Sequence, residues 1–252
     1  MRLDQVAQLV RNVIEKDETE MVDIVKNLTK GVRHAVQNGV PGDVVEFGTM
    51  TGRTAVALGY ACDHYFARYK KNDVRHGLLE KRKLHLFDSF LGCPEANDII
   101  DAENLHVKSG IWTEGTCKGL TALQLADVLN NIKVGHLAVI HDGWFSETVL
   151  SYAQMNKVAL VHVDCDLYES TIDALTPLFV HGSISAGAQI LFDDYDCSRA
   201  SSQHGERKAW SDLSTRHKIF YEDLGAYAVS GRRFLIHDYI PSGDNNLDNI
   251  QK

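Results

Sequence analysis

Val161-His-Val-Asp164-Cys-Asp166-Leu-Tyr-Glu-Ser-Thr171 is the stretch on which the fold turns. It begins as an apolar, β-prone run and ends abruptly in carboxylates, and Ala188-Gln-Ile-Leu-Phe-Asp193-Asp194-Tyr-Asp196 repeats the arrangement. A buried strand of a parallel sheet reads as a near-continuous hydrophobic run, and open α/β sheets hold ligands at the carboxyl ends of such strands. Both acidic clusters therefore fall on the functional rim of one sheet. Carboxylates crowded there repel one another, so some stay protonated or a cation sits among them. A divalent metal is the favoured reading, and the competing one is that Asp164 and Asp193 cap the helices that follow. Asp166 falls in the turn opening the next helix, where a carboxylate suits the N-terminal dipole.

Upstream, Asp43-Val-Val-Glu46-Phe-Gly48-Thr49-Met-Thr-Gly52-Arg-Thr54 reads as strand, glycine turn and helix start, with the helix continuing through Cys62. Such a turn brings backbone N–H groups close to a ligand. Its pattern is an acidic residue, a spacer and G-x-x-x-G, not the G-x-G-x-x-G of dinucleotide sites. Glu46 at the strand end repels phosphate and attracts a cationic amino or sulfonium group, which favours S-adenosylmethionine over a dinucleotide. A second strand, Lys83-Leu-His-Leu-Phe-Asp88, ends in a carboxylate placed to bind ribose hydroxyls through both its oxygens. A third, His136–Ile140, closes in His141-Asp142-Gly143-Trp144-Phe145, where Trp144 either stacks on a base or belongs to the core.

The rest of the chain fits around these strands. Residues 1–39 carry two amphipathic helical patterns split at Asp17-Glu-Thr-Glu20, ahead of Pro41. The pair could cover the site or support a homo-oligomer. The glycine-rich segment 91–120 reads as irregular and mobile, a candidate lid, and Thr121 as the cap of an amphipathic helix. A helix after Thr171 is expected to run to Pro177, and the fifth strand to follow Gly187. Lys218–Tyr221 and Arg233–Ile236 are late strands joined too briefly for a parallel crossover, hence antiparallel. The expected division is a helical extension over 1–41, one catalytic domain over 42–240 and a flexible tail over 241–252.

Bulk properties exclude several classes. A formal charge of −8 argues against a general nucleic-acid binder. The basic stretch 64–83 is read as a solvated helix end rather than a nucleic-acid patch. Five scattered cysteines without CxxC fit reduced thiols in a cytoplasmic protein. No run is long enough to span a membrane. Zinc is disfavoured, because no His/Cys set with ligand spacing accompanies the carboxylates.

Five β/α units, a terminal antiparallel strand and an acidic-x-Gly first turn resemble a class I methyltransferase, an α/β Rossmann-like sheet preceded by N-terminal helices. Asp164-Cys-Asp-Leu-Tyr-Glu-Ser-Thr171, Asp193-Asp194-Tyr195, Val45-Glu46-Phe-Gly48, Asp88-Ser89-Phe90 and Gly143-Trp144-Phe145 are together similar to the macrocin O-methyltransferase family. The resemblance covers roughly residues 42 to 237 and implies an S-adenosylmethionine- and Mg²⁺-dependent O-methyltransferase. Its acceptor would be a sugar or glycosylated natural product, with a catechol-like small diol as the alternative. A binding protein that has lost catalysis is a further reading, and a nicotinamide-dependent reductase the rival enzyme. The resemblance makes Asp164, Asp193 and Asp194 the metal ligands and Asp164 the base. It makes Glu46, Gly48, Asp88 and Asp142–Trp144 cofactor contacts, and Thr49, Gly52, Thr54, Ser89 and Gly143 complete the expected cofactor set. The chain departs from the family in having Cys165 for a glycine and Ser146-Glu-Thr-Val-Leu150 for a Thr-Leu-Pro run.

Overall fold

The computed structural model describes residues 18–75 and 82–241. The first expected helix, most of the tail and part of the basic stretch lie outside these residues. Seven strands form one sheet: β1 (Asp43–Phe47), β2 (Leu84–Asp88), β3 (Ala138–Asp142), β4 (Val158–Val163), β5 (Ile184–Phe192), β6 (Phe220–Tyr227) and β7 (Gly231–Asp238). Their order is β3-β2-β1-β4-β5-β7-β6, parallel from β3 to β5, with β7 antiparallel to both its neighbours. The longer helices are α1 (Glu18–Gln37), α2 (Arg53–Arg75), α3 (Ala122–Asn131), α4 (Phe145–Ala153), α5 (Tyr168–Val180) and α6 (Gly205–Arg216).

Alternation along each strand makes two cores. Val44, Leu84, Leu86 and Leu160 face Ile24, Leu28 and Val32 of α1, Leu58 of α2, and Leu125 and Leu129 of α3. Val45, Phe47, Phe87, Val161 and Val163 face Val149 of α4, Leu175 and Leu178 of α5, and Trp210 and Leu213 of α6. Each such side chain, fully buried, contributes about 1.5–3 kcal/mol. The chain builds outward from β1 to β3 and then returns to lay β4 on the other side of β1. That reversal is the place where doubly wound sheets bind ligands.

Several expected boundaries shift, for physical reasons. Helix α5 passes through Pro177 to Val180. Leu178, Phe179 and Val180 are buried, and their burial outweighs the roughly 3 kcal/mol that an interior proline costs. Strand β5 starts before Gly187, not after it. Val158 pairs with Ile184 but Leu160 with Gln189, so Gly187, at φ 85°, sits in a bulge. The segment 91–120 is largely turn and coil, as expected, but carries short helices. Asp98 and Asn104 cap two single-turn helices, Ile99–Ala102 and Leu105–Lys108, and Cys93 exchanges backbone hydrogen bonds with Thr116 and Gly115. Thr121 caps α3 as expected, in a reciprocal box with Gln124. Among the described residues no helix is long and apolar enough to cross a membrane.

Candidate active site

At the switch point the ends of β1 and β4 touch. The Asp164 N–H donates to the Phe47 carbonyl at 2.9 Å, and a Cβ on Gly48 would lie 1.8 Å from the Asp164 carbonyl oxygen. Gly48 adopts φ 87°, so only glycine fits this turn without strain. Above it opens a cleft of about 320 Å³. Gly48, Asp88, Ser89, Trp144, Asp164 and Asp166 line it, with Gly92, Cys93, Pro94, Glu95, Asn97 and Cys117 as one wall. That wall is the segment expected to be a lid.

Asp88, Asp164, Asp166, Glu95, Glu169 and Asp173 all face this cleft, and among the described residues no lysine or arginine does. Its lining is acidic, a donor set that suits a cationic ligand. The residue expected to attract such a ligand was Glu46, which the structure corrects. Glu46 is fully buried beneath the rim, with its Oε1 3.0 Å from His162 Nδ1. Burial opposes charge on His162, but Asp193 and Glu46 on either side hold its pKa well above the usual value.

Asp88 is also changed in role. Its Oδ2 accepts from the Thr49 N–H at 2.6 Å, the Thr49 hydroxyl at 3.0 Å and the Met50 N–H at 3.2 Å. Its Oδ1 accepts from the Phe90 N–H at 2.6 Å. One carboxylate thus ties the β1 and β2 turns together and keeps acceptor capacity on Oδ1 alone, so the expected two-oxygen grip on a ribose is not open to it. Thr49, Gly52, Thr54, Asp142 and Gly143 do not line the cleft. Thr49 acts through Asp88, and Gly143 through its N–H to the Asp88 carbonyl at 3.0 Å. Trp144 is half-buried at the rim, neither core nor free surface.

The carboxylates that meet are Asp164, Asp166 and Asp194, with oxygens within 4.8 Å of one another. Asp193, expected in that trio, instead accepts from the Tyr227 hydroxyl at 3.3 Å, with His162 Nε2 at 3.8 Å. Asp166, expected to serve the following helix, turns into the cleft at φ 63°. Asp101 takes that helix duty, accepting from the Tyr168 N–H at 2.7 Å and the Glu169 N–H at 2.9 Å. Burial and then the charge of Asp193 push the Asp164 pKa up; burial and then Asp194 do the same for Asp166. Like charges packed this closely retain protons until a cation neutralises them.

Glu206, which nothing in the local sequence singled out, is buried under the trio. Its Oε2 accepts from the Asp194 N–H at 2.9 Å and its Oε1 from the Cys165 N–H at 3.5 Å, so it fixes both acidic turns. Cys93 and Cys117 were also missed. Their thiols lie within 4.8 Å of each other and of Asp166, although no ligand spacing joins them in sequence. The disfavour toward zinc rested on the absence of such a set, and folding supplies one.

Residues 21–225 match the family model described as macrocin-O-methyltransferase (TylF). The chain is similar to the demethyldecarbamoylnovobiocin O-methyltransferase of Streptomyces niveus, 30% identical over 175 residues, covering 68% of this chain and 59% of that protein. It is also similar to the 8-demethyl-8-(2,3-dimethoxy-alpha-L-rhamnosyl)-tetracenomycin-C 4'-O-methyltransferase of Streptomyces olivaceus, 30% identical over 179 residues, 67% of this chain and 59% of that one. The alignments therefore span somewhat over half the length of these relatives. Among solved structures, the O-methyltransferase NovP superposes with a TM-score of 0.65 at 21% identity, covering 85% of this chain and 79% of that one. The superposition carries the fold, which is the class I methyltransferase sheet expected from the strand pattern.

Proposed function

From the premise that this chain belongs to the macrocin O-methyltransferase family, we propose that it transfers a methyl group to a hydroxyl of a sugar or glycosylated natural product. The observation that carries this reading is the gathering of Asp164, Asp166 and Asp194 beside an acidic cleft at the switch point. The named acceptors of the relatives support the acceptor class, and one of them carries a rhamnosyl group.

S-adenosylmethionine would supply an already activated methyl on a sulfonium, and a hard divalent cation would supply charge that makes an acceptor hydroxyl more acidic. The cleft fits the first. Its carboxylates favour a cationic ligand, Gly48 lines it without a side chain, and Asp88 Oδ1 can take one ribose hydroxyl. The trio fits the second, since Mg²⁺ takes oxygen ligands and keeps positions for water or substrate. Asp164 faces the cleft from the end of β4 and accepts the hydroxyl proton. Glu206 and Asp88 hold the turns that position it and the cofactor side of the cleft.

S-adenosylmethionine or S-adenosylhomocysteine is expected to bind in calorimetry, and NAD is not, since its pyrophosphate would meet only negative charge. Heat from NAD and none from either adenosyl ligand would end the reading. Turnover of labelled S-adenosylmethionine with a panel of glycosides tests the acceptor. Transfer to catechols but to no glycoside would move the acceptor to the alternative class.

The metal reading has its own test. Mg²⁺ binding is expected to release protons, because carboxylates whose pKa values are raised in the free protein ionise when a cation neutralises them. Titrations in buffers of different ionisation enthalpy measure that release. Asp166→Asn should weaken Mg²⁺ by about tenfold or more, as the loss of a directly bound carboxylate implies. Asp193→Asn should weaken it less. The reverse ranking would return Asp193 to the trio and remove Asp166.

A further inference from the structure

Cys93, Cys117 and Asp166 come from separate parts of the chain, yet their two sulfurs and a carboxylate oxygen all lie within 4.8 Å of one another. The arrangement is built into the fold. The Cys93 N–H donates to the Thr116 carbonyl at 2.8 Å and the Gly115 N–H to the Cys93 carbonyl at 2.9 Å, which fixes the two thiol-bearing segments side by side. Gly92 makes that approach possible, since a Cβ there would lie 2.4 Å from the Thr116 oxygen. Cys117 at φ 57° and Asp166 at φ 63° both hold left-handed backbone, a conformation strained for a non-glycine residue. Strain of this kind persists where the surrounding structure over-determines it, and it clusters at ligand clamps.

We propose that Cys93, Cys117 and Asp166 form a binding site for a thiophilic divalent cation of the zinc class, separate from the carboxylate trio but sharing Asp166 with it. Two sulfurs and one oxygen match the ligand types of tetrahedral zinc, whose donors stand about 3.5–3.8 Å apart at ordinary bond lengths. Cys93 Sγ already lies 3.7 Å from Asp166 Oδ2. All three residues line the cleft, so the ion reaches them from solvent and its fourth position opens to water or a cleft ligand. Binding exchanges protons for metal: two thiols become thiolates, Asp166 gives up any proton it holds, the released protons go to solvent, and no oxidant or reductant is needed. Softness sorts the ions, because thiolates prefer zinc and the all-oxygen trio prefers Mg²⁺. The site stands whether or not the protein transfers methyl groups.

Co²⁺ is the probe, because thiolate ligation gives it an intense sulfur-to-metal charge-transfer band. Titration of the reduced full chain should show that band at one ion per chain. The Cys93→Ser/Cys117→Ser variant should lose it and bind Co²⁺ about tenfold or more weakly, while Cys197→Ser should keep it. Zn²⁺ on the unmodified chain should protect Cys93 and Cys117 from alkylation, read by peptide mass mapping, which tests the site even if a variant misfolds. Absence of the band, its survival in the double variant, its loss in Cys197→Ser, or equal alkylation of Cys93 and Cys117 with and without Zn²⁺ would overturn the proposal.

Discussion

Replacing Asp164 with Asn is expected to lower methyl transfer by about two to four orders of magnitude, the range set by losing a positioned general base. The substitution keeps the shape of the side chain. The backbone N–H still reaches the Phe47 carbonyl and the turn against Gly48 is unchanged. An amide does not accept the hydroxyl proton and neutralises a bound cation poorly, so the loss falls on chemistry. Stability should move in the other direction. The folded-state pKa of Asp164 is raised, by burial and then by Asp193, so its ionisation destabilises the fold. That penalty is absent below the ordinary carboxylate range and complete above the raised value. At neutral pH without divalent ions, Asp164→Asn should therefore melt no lower than the parent. Turnover within about tenfold of the parent, a change worth only ~1.4 kcal/mol in the barrier, would take the base away from Asp164.

Gly48→Ala is expected to be strongly destabilising. Gly48 combines a left-handed φ of 87° with a Cβ position 1.8 Å from the Asp164 oxygen, so β1 and β4 must part to admit it. Strain and displaced pairing together should cost about 3 kcal/mol or more. For a chain of this size that lowers the melting temperature by about 6–12 °C. Gly110→Ala is the matched control. Gly110 has a similar φ of 81° but nothing within 4 Å of its Cβ, so it should show the backbone strain alone, about 1 kcal/mol. Equal losses in the two variants would mean that close approach at the switch point contributes nothing. The folded fraction of Gly48→Ala should also be impaired in turnover, because the displaced atom is the Asp164 backbone itself.

The sheet was legible in the chain because hydrophobic period is a local property. Apolar runs ending in Asp88, Asp142, Asp164 and Asp193 marked the rim, and short connections between β6 and β7 required the antiparallel end. The family, too, could be read from short strings such as Asp164–Thr171. Where sequence and structure part is in the turns beyond the strand ends. A residue inside a strand faces one of two sides by parity, but the direction of Asp166 depends on a backbone φ of 63° that no neighbouring residue announces. That angle puts Asp166 with Asp164 and Asp194, and it leaves the helix end to Asp101 from a distant loop. Glu46 likewise has the right position for a cofactor contact, yet the partner on the adjacent strand is His162, and a buried charge pairs with the nearest opposite group. The thiols of Cys93 and Cys117 follow the same logic. Strand positions and the acidic rim were determined by the sequence alone, because burial and repulsion act along it, whereas the order of the strands came from the tertiary structure. Which carboxylates and thiols meet was decided only by the tertiary structure, because that depends on angles and distances between segments remote in the chain.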